Sequence, residues 1–311
     1  MKKLFFSLIF LFLFSPSVWA IGDYFMLPDL GTSARMIRIG NIEGFSKLAN
    51  VTFENPSSLH RLNRFSASAF MTTLMHEVEY KNLALGIRLP IGVVGLGYMT
   101  AEVSEIPHTY MKSDLEETFG VDEYFNYHSS LAKVAYCLSQ SKNIHFGISA
   151  TYFLTNLYTY TGSGYNFDAG VTIENEKLAI SIAMKNIASS LKVKYKNSEE
   201  ENYSGIENLP LQTVFAIKYL IDDFAVYAQI KSFGSNRKLT NALGLSYTPS
   251  ILPIITISGG YKEFVVIREV RNNYSLGIGL NLFDISFDYA YERSEHIQFN
   301  HKHYFSVGLE F

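Results

Sequence analysis

The chain has one cysteine, Cys137, among its 311 residues. It therefore cannot form an internal disulfide, and its stability must come from packed secondary structure. The formal net charge is only −3, which argues against nucleic acid as a partner. After the first residues, the longest apolar run is 251–257. It contains Pro253 and is far shorter than the roughly 20 residues of a membrane-spanning helix. The sequence thus excludes a helical membrane protein.

Catalytic and metal-binding motifs are also missing. The sequence has no G-x-S-x-G, no H-E-x-x-H and no EF-hand spacing. Ser306 and His303 are close in sequence but have opposite parity. Successive strand residues face opposite sides, so they cannot act together on one strand. We expect no enzyme activity, no cofactor and no metal.

The first twenty residues have the features of an export signal. Lys2 and Lys3 precede the apolar run 4–14, and Val18 and Ala20 supply short side chains before a cleavage site. This pattern predicts a signal peptide over residues 1–20, cleaved after Ala20. The alternative is an uncleaved anchor.

From Arg64 onward the sequence consists of short alternating segments. In 284–292 the apolar residues Ile285, Phe287 and Tyr289 share one face and polar residues share the other, as in a strand with one apolar face. Aromatic residues make up 15% of the chain, which suits the aromatic girdles of a membrane barrel. The pattern predicts an all-β fold, a transmembrane antiparallel barrel with about fourteen strands over residues 64–311. The predicted strands are 64–74, 77–89, 91–101, 126–139, 143–155, 163–174, 177–187, 209–220, 223–232, 238–248, 252–262, 271–283, 284–294 and 300–311.

The connections favour a membrane barrel over a soluble β-sandwich. Every second turn is very short, whereas the two longest connections, 102–125 and 188–208, lie at the opposite end. Outer-membrane barrels have short periplasmic turns and longer external loops. The acidic residues in both long loops are expected to be solvated, although they could instead bind ions that bridge lipopolysaccharide. Outer-membrane lipids and lipopolysaccharide are the expected surroundings.

The last strand is expected to close the barrel against the first, because an open edge in lipid leaves backbone groups unsatisfied. Alternation directs Phe305, Leu309 and Phe311 outward to lipid. A final strand that ends in an outward aromatic residue resembles the signal read by the barrel assembly machinery. These three residues are therefore the predicted assembly signal.

The segment before the barrel carries a further pattern. It reads Gly31-Thr-Ser-Ala-Arg35, then Gly40, then Asn55-Pro56-Ser-Ser-Leu59. Together with the closing hairpin, this order resembles the PorV/PorQ family of outer-membrane proteins, relatives of the FadL-like long-chain fatty-acid transporters. The resemblance implies a fourteen-stranded barrel with an N-terminal plug, here residues 21–63. It implies passage of hydrophobic compounds or, alternatively, a role in type IX secretion, in which such barrels hold secreted cargo at the cell surface.

The predicted gate consists of plug residues and inward-facing acids. We expect Arg35 to pair with a carboxylate of the wall, Asp168 or Asp288, with Arg38 beside it, because a buried guanidinium is costly unless paired. A solvated arginine in a wet channel is the alternative. Asn55 and Pro56 are expected to form the turn that ends the plug. Many inward positions of the wall are glycine, which predicts space for a plug or for a ligand. These glycines are Gly86, Gly95, Gly97, Gly147, Gly170, Gly244, Gly277, Gly279 and Gly308.

Overall fold

A computed structural model describes residues 27–75, 77–113, 118–196, 202–207, 209–233, 239–266, 269–295 and 301–311. The predicted signal peptide, 1–20, and the first residues of the predicted plug, 21–26, lie outside the described residues. Across the described ranges, no helix is both long enough and apolar enough to cross a membrane.

The chain begins with short helical turns joined by irregular backbone. A four-residue α-helix, α1 (Ala34–Ile37), is capped by Ser33, whose hydroxyl accepts a hydrogen bond from the Met36 amide at 3.2 Å. Three 3₁₀ turns complete this part, at Leu27–Leu30, Ala49–Phe53 and Pro56–Arg61. Residues 27–62 are called the N-terminal segment below.

The rest of the described chain is almost entirely β-strand. The strands are β1 (Phe65–Leu74), β2 (Val78–Leu89), β3 (Gly92–Ser113), β4 (Thr118–Ser139), β5 (Ile144–Leu157), β6 (Tyr160–Glu174), β7 (Leu178–Lys196), β8 (Asn202–Glu207), β9 (Gln212–Ile221), β10 (Phe224–Phe233), β11 (Thr240–Tyr247), β12 (Ile255–Val266), β13 (Glu269–Leu282), β14 (Ile285–Ser294) and β15 (Lys302–Glu310).

The strands form a closed antiparallel barrel. Apart from β8, each strand pairs with its neighbours along the chain, with β7 paired to β9. β1 pairs with β15 in the register Ser66 to Glu310 and Phe70 to Ser306. The short strand β8 pairs only with the end of β7, so fourteen strands form the ring. The predicted fourteen-stranded fold is confirmed. Closure leaves no unpaired edge among these strands, as a barrel in lipid requires.

The two longest predicted loops are largely strand, and this part of the prediction was wrong. β3 and β4 continue as a long hairpin to Ser113 and Thr118, with a register shift near Glu105, which has a φ of 59°. β7 likewise runs to Lys196 and pairs with β8. The charged residues suggested loops. A hairpin outside the membrane needs no apolar face, however, so charge does not end it.

The two faces of the barrel differ in chemistry. Along β14, Ser286, Asp288 and Ala290 are buried inside, whereas Ile285 and Phe287 are exposed outside. The same alternation on other strands gives an outward surface rich in exposed Leu, Ile, Phe and Tyr. Such a band suits contact with lipid. We call the end of the barrel that carries the turns 140–143 and 175–177 the short-turn end.

A barrel interior filled by the N-terminal segment

The N-terminal segment lies against the inward faces of strands all around the ring. Most of its residues are buried, Ala34, Phe53 and Leu59 completely. Its backbone and side chains bond to inward residues on well-separated strands. These pairs are Ala49 amide to Ser66 of β1, Asn82 of β2 to the Thr32 carbonyl, Asn55 to Ser181 of β7, Glu43 amide to Gln229 of β10, and Ala34 amide to Ser306 of β15.

The inward glycines named from the sequence all face this segment. A Cβ placed on Gly147 would lie 2.1 Å from the Ser57 nitrogen, and one on Gly244 would lie 2.4 Å from the Ile39 carbonyl oxygen. Gly260, which was not among them, behaves likewise, because its Cβ would lie 2.0 Å from the Gly40 nitrogen. Contacts this close exclude any side chain larger than hydrogen. The wall is therefore shaped to residues 27–62.

Arg35, Arg38 and Asp288 form one buried ionic cluster. Arg35 Nε lies 3.0 Å from Asp288 Oδ2, and Arg38 Nη2 lies 3.2 Å from Asp288 Oδ1. The Asp288 side chain is fully buried. Arg35 also donates to the Asn281 side chain at 3.1 Å, and Arg38 donates to the Thr256 carbonyl at 3.1 Å. The cluster joins α1 and the residue that follows it to strands β12, β13 and β14.

Asp168, the other acid considered for Arg35, has different partners. Its Oδ2 accepts a bond from Lys133 Nζ at 2.5 Å, and its Oδ1 accepts one from the Asn186 amide at 2.9 Å. The ladder between β6 and β7 is interrupted here, since Phe167 pairs with Ala188 and Ala169 with Met184. Asn186 has a φ of 60°, and this bulge turns the consecutive residues Lys185 and Asn186 both inward.

A second ionic cluster was not foreseen from the sequence. Glu43 of the segment pairs with Lys185 and, at 2.8 Å, with Lys231 of β10, which also pairs with Asp29. The two lysines outweigh the cost of burial and lower the pKa of Glu43 to about 2. The predicted gate includes only Arg35 and Arg38 among the charged residues of the segment, whereas Asp29 and Glu43 also form ion pairs there. The sequence did carry a signal for this cluster, because Glu43 is an acidic residue in a segment that is expected to lie inside the barrel.

Glu54 differs from Glu43 because no lysine or arginine of the described ranges forms an ion pair with it. Its carboxylate accepts bonds from the Thr32 hydroxyl at 2.5 Å, the Asn50 amide group at 2.6 Å and the Gly44 backbone amide at 2.7 Å. Burial away from water is the larger effect and raises the pKa of Glu54 to about 7. The centre of the segment thus holds an acid that titrates near neutral pH.

Asn55 and Pro56 occupy the start of the last helical turn. The Asn55 side chain accepts a bond from the Ser57 amide at 3.0 Å, and Pro56 takes the first helical position, which needs no amide hydrogen. The Asn55 amide group also donates to Ser181 of β7 at 2.7 Å. Both residues therefore shape the end of the segment before β1 begins at Phe65, and Asn55 anchors it to the wall.

A small cavity remains between the segment and the wall beside the β6–β7 bulge. Its volume is about 20 Å³, and Phe53, Leu131 and Phe153 line it together with Lys133, Asp168 and Gln212. About one water molecule fits such a space. It cannot hold a hydrocarbon while the segment stays where it is.

The barrel is similar to two solved toluene transporters. The Pseudomonas putida toluene transporter TodX matches with a TM-score of 0.59 and 12% identity, over 94% of this chain and 99% of that chain. The Ralstonia pickettii toluene transporter TbuX matches with a TM-score of 0.62 and 10% identity, over 92% of this chain and 100% of that chain. These likenesses show a shared fold, a closed antiparallel barrel of fourteen strands. No family model and no curated protein sequence matches the chain, so membership of the PorV/PorQ family stays a prediction.

The residues of the predicted assembly signal lie at the barrel seam. Phe305 and Phe311 are exposed on the outside, and Leu309 is half-buried. The Phe311 amide donates to the Phe65 carbonyl at 2.9 Å, and the Phe311 carbonyl accepts from the Arg64 amide at 2.9 Å. Phe311 thus extends the pairing of β15 with β1. Its recognition during assembly stays a prediction.

Proposed function

We propose that this protein is an outer-membrane channel for hydrophobic small molecules, and that the N-terminal segment is its plug. The observation that carries the proposal is a fourteen-stranded ring, apolar outside, whose interior is filled by a separate stretch of chain rather than by the wall's own side chains. An eight-stranded barrel can fill its interior with side chains, whereas a wider one must be open or occupied. The similarity to toluene transporters supports a hydrophobic cargo.

Transport then requires the segment to move, because the cavity beside it holds about one water. The ionic clusters at Asp288 and Glu43 hold the segment to separate parts of the wall, at β14 and at β7 and β10. Charge pairs of this kind orient a movable element strongly while adding little net stability, because desolvation offsets much of their attraction. The segment is therefore held firmly while every ion pair is formed, and a modest change at one ion pair can release it.

A reversible cross-link tests this mechanism. A Cβ on Gly86 would lie 3.7 Å from the Ala49 Cβ, which matches the spacing of a disulfide. The same Cβ would meet Leu62 Cδ1 at 2.3 Å, so the pair Ala49→Cys and Gly86→Cys is made with Leu62→Ala. Cys137→Ser removes the native thiol. We expect uptake of labelled toluene or a long-chain fatty acid by cells expressing this variant to fall when the disulfide is oxidised and to recover on reduction.

The control is the same background without Gly86→Cys, whose uptake should not respond to oxidation. Equal uptake in the oxidised and reduced cross-linked protein would contradict a movable plug. No uptake by the parent barrel above that of cells without it would contradict transport itself.

The secretion role implied by the PorV/PorQ resemblance stays a prediction. Export by a cleaved signal peptide, insertion by the barrel assembly machinery and contact with lipopolysaccharide belong to the proposal as well. Deleting the gene and measuring growth on hydrophobic compounds alongside display of surface proteins separates the two roles. Loss of display with normal growth would favour secretion over transport.

A further inference from the structure

Two histidines and a glutamate meet where the N-terminal segment leaves the barrel. His60 belongs to the last turn of the segment, His145 begins β5, and Glu174 ends β6, all at the short-turn end. One ligand atom from each residue lies within 4.8 Å of the others. The two histidines are buried, and the Glu174 side chain is 24% exposed. The cluster is therefore within reach of solvent ions.

The hydrogen bonds of His60 fix where its protons lie. Its Nδ1 is 2.7 Å from the Ser57 carbonyl oxygen, which can only accept, so Nδ1 carries the hydrogen. Its Nε2 is 2.5 Å from Glu174 Oε1. In a neutral ring this Nε2 would point a lone pair at a carboxylate oxygen. As it stands the contact is a hydrogen bond and needs a proton between the two atoms. A metal ion can take the place of that proton once the atoms separate to the roughly 3.3 Å expected of two ligands about 2.0 Å from a tetrahedral ion.

His145 distinguishes these two possibilities. Its Nδ1 lies 2.9 Å from the Ser139 hydroxyl, whereas its Nε2 is buried and has no hydrogen-bond partner among the residues that the structure describes. The residue is only 5% exposed, and its ring stacks on that of His60 with centroids 3.5 Å apart. A second proton on His60 satisfies Glu174 but leaves His145 Nε2 without a partner. A metal ion supplies a partner for all three atoms.

We propose that His60, His145 and Glu174 bind one transition-metal ion of the Zn²⁺ class. Two imidazole nitrogens and one carboxylate oxygen, with a fourth position open to water, are a common zinc ligand set. The rings are nearly parallel, at 3°, so one ring turns about its Cβ–Cγ bond when the two nitrogens converge on the ion.

The surroundings are those of a supported metal site. Metal-binding histidines usually bond through their other ring nitrogen to a carbonyl or another polar group, as Ser57 and Ser139 provide here. Arg61 donates to Glu174 Oε2 from Nε at 3.0 Å and from Nη2 at 2.6 Å. Arg61 thus orients the carboxylate and leaves Oε1 for the ion.

The ion would join the end of the segment to the wall at β5 and β6. The sequence alone predicted no metal because the ligands lie on three separate stretches with no motif spacing. Metal binding does not depend on what the barrel transports, so this proposal and the transport proposal can fail independently.

The test uses the whole mature barrel without a histidine tag, in detergent and freed of metal by a chelator. We expect it to bind one Zn²⁺ per chain in calorimetry, and Co²⁺ to give the visible absorption of a nitrogen- and oxygen-coordinated site. His145→Gln and Glu174→Gln should each weaken Zn²⁺ binding by at least about tenfold, a loss seen even when only the groups that hydrogen-bond to a metal's ligands are changed. Zn²⁺ should also protect the segment from protease in the parent but not in these variants.

The matched control is His303→Gln, which changes an exposed histidine on the outer face of β15 and should bind Zn²⁺ like the parent. Heat-modifiable migration on gels checks that each variant is folded. Folded His145→Gln and Glu174→Gln that bind Zn²⁺ as the parent does would overturn the proposal, as would a parent that binds no Zn²⁺ at micromolar concentration.

Discussion

Asp288→Asn removes the one carboxylate that the two arginines of the predicted gate share. In the parent, Arg35 Nε and Arg38 Nη2 lie 3.0 and 3.2 Å from its oxygens, and the Arg38 side chain is only 6% exposed. Removing one partner of a buried ion pair typically costs about 3–5 kcal/mol, because the remaining charge is left uncompensated. Here two guanidiniums are left, so we expect the packing of the segment to weaken by at least about 3 kcal/mol. At about 1.4 kcal/mol per factor of ten, the displaced state becomes roughly 100-fold more populated.

Single-channel recording in planar bilayers measures this directly. Asp288→Asn should show frequent large openings. Arg35→Ala should show fewer, because Arg38 still compensates the buried Asp288 carboxylate, although the bonds of Arg35 to Asp288 and Asn281 are lost. Asp284→Asn is the control, because it makes the same change on an exposed turn residue four positions earlier. If Asp288→Asn conducts like the parent and like Asp284→Asn, this cluster does not hold the segment in place.

Three further outcomes are expected. Gly260→Ala should lower barrel stability in urea by roughly 1–3 kcal/mol through overpacking, since its Cβ would lie 2.0 Å from the segment backbone. The control is Gly259→Ala, whose Cβ would have its nearest contact at 3.4 Å and which should change stability little. Equal effects of the two substitutions would contradict the close fit between segment and wall. The pKa of Glu54 rises from 4.5 to about 7 when it is buried, so the displaced state loses its proton at lower pH than the packed state. The packing of the segment against the wall should therefore weaken by roughly 3 kcal/mol as pH rises from 4.5 to 7 and stay constant above pH 7. Channel conductance should rise over that pH range in the parent but not in Glu54→Gln. A rise in conductance on acidification instead would refute the role of Glu54. Deleting Phe311 should reduce the amount of heat-modifiable barrel, because its backbone bonds to Phe65 are lost together with its aromatic side chain. Phe311→Ala keeps those backbone bonds, so equal impairment of this variant would show that the aromatic side chain itself is recognised. Normal levels of both variants would argue against an assembly signal.

The strands were predictable because alternation is a local property. Every residue of 284–292 could be assigned to a face from its neighbours alone, and β14 follows that assignment. The extensions of β3 and β4 beyond the predicted loop boundaries were not predictable in this way. Apolar and polar residues alternate where one face of a strand contacts the membrane. A hairpin that extends beyond the membrane loses this alternation but keeps its backbone pairing.

The candidate site was less predictable because its contacts join distant parts of the chain. Alternation placed both Asp168 and Asp288 on the inner face, but it does not tell at which height the segment crosses each strand. Asp168 lies beside the β7 bulge and is paired with Lys133, so Asp288 alone is left for Arg35. Bulges depend on the pairing of two strands, and a single strand's sequence does not reveal them.

The fit between segment and wall also constrains the order of events during folding. The segment directly precedes β1, yet its partners lie on strands as far apart as β2, β7, β10 and β14. Side chains such as Leu62 and Phe53 fill spaces that a single added carbon would close, so much of the inner wall acquires its buried partners only when the segment is in place. We therefore expect segment and wall to reach their final packing together, as the sheet curls and β1 meets β15.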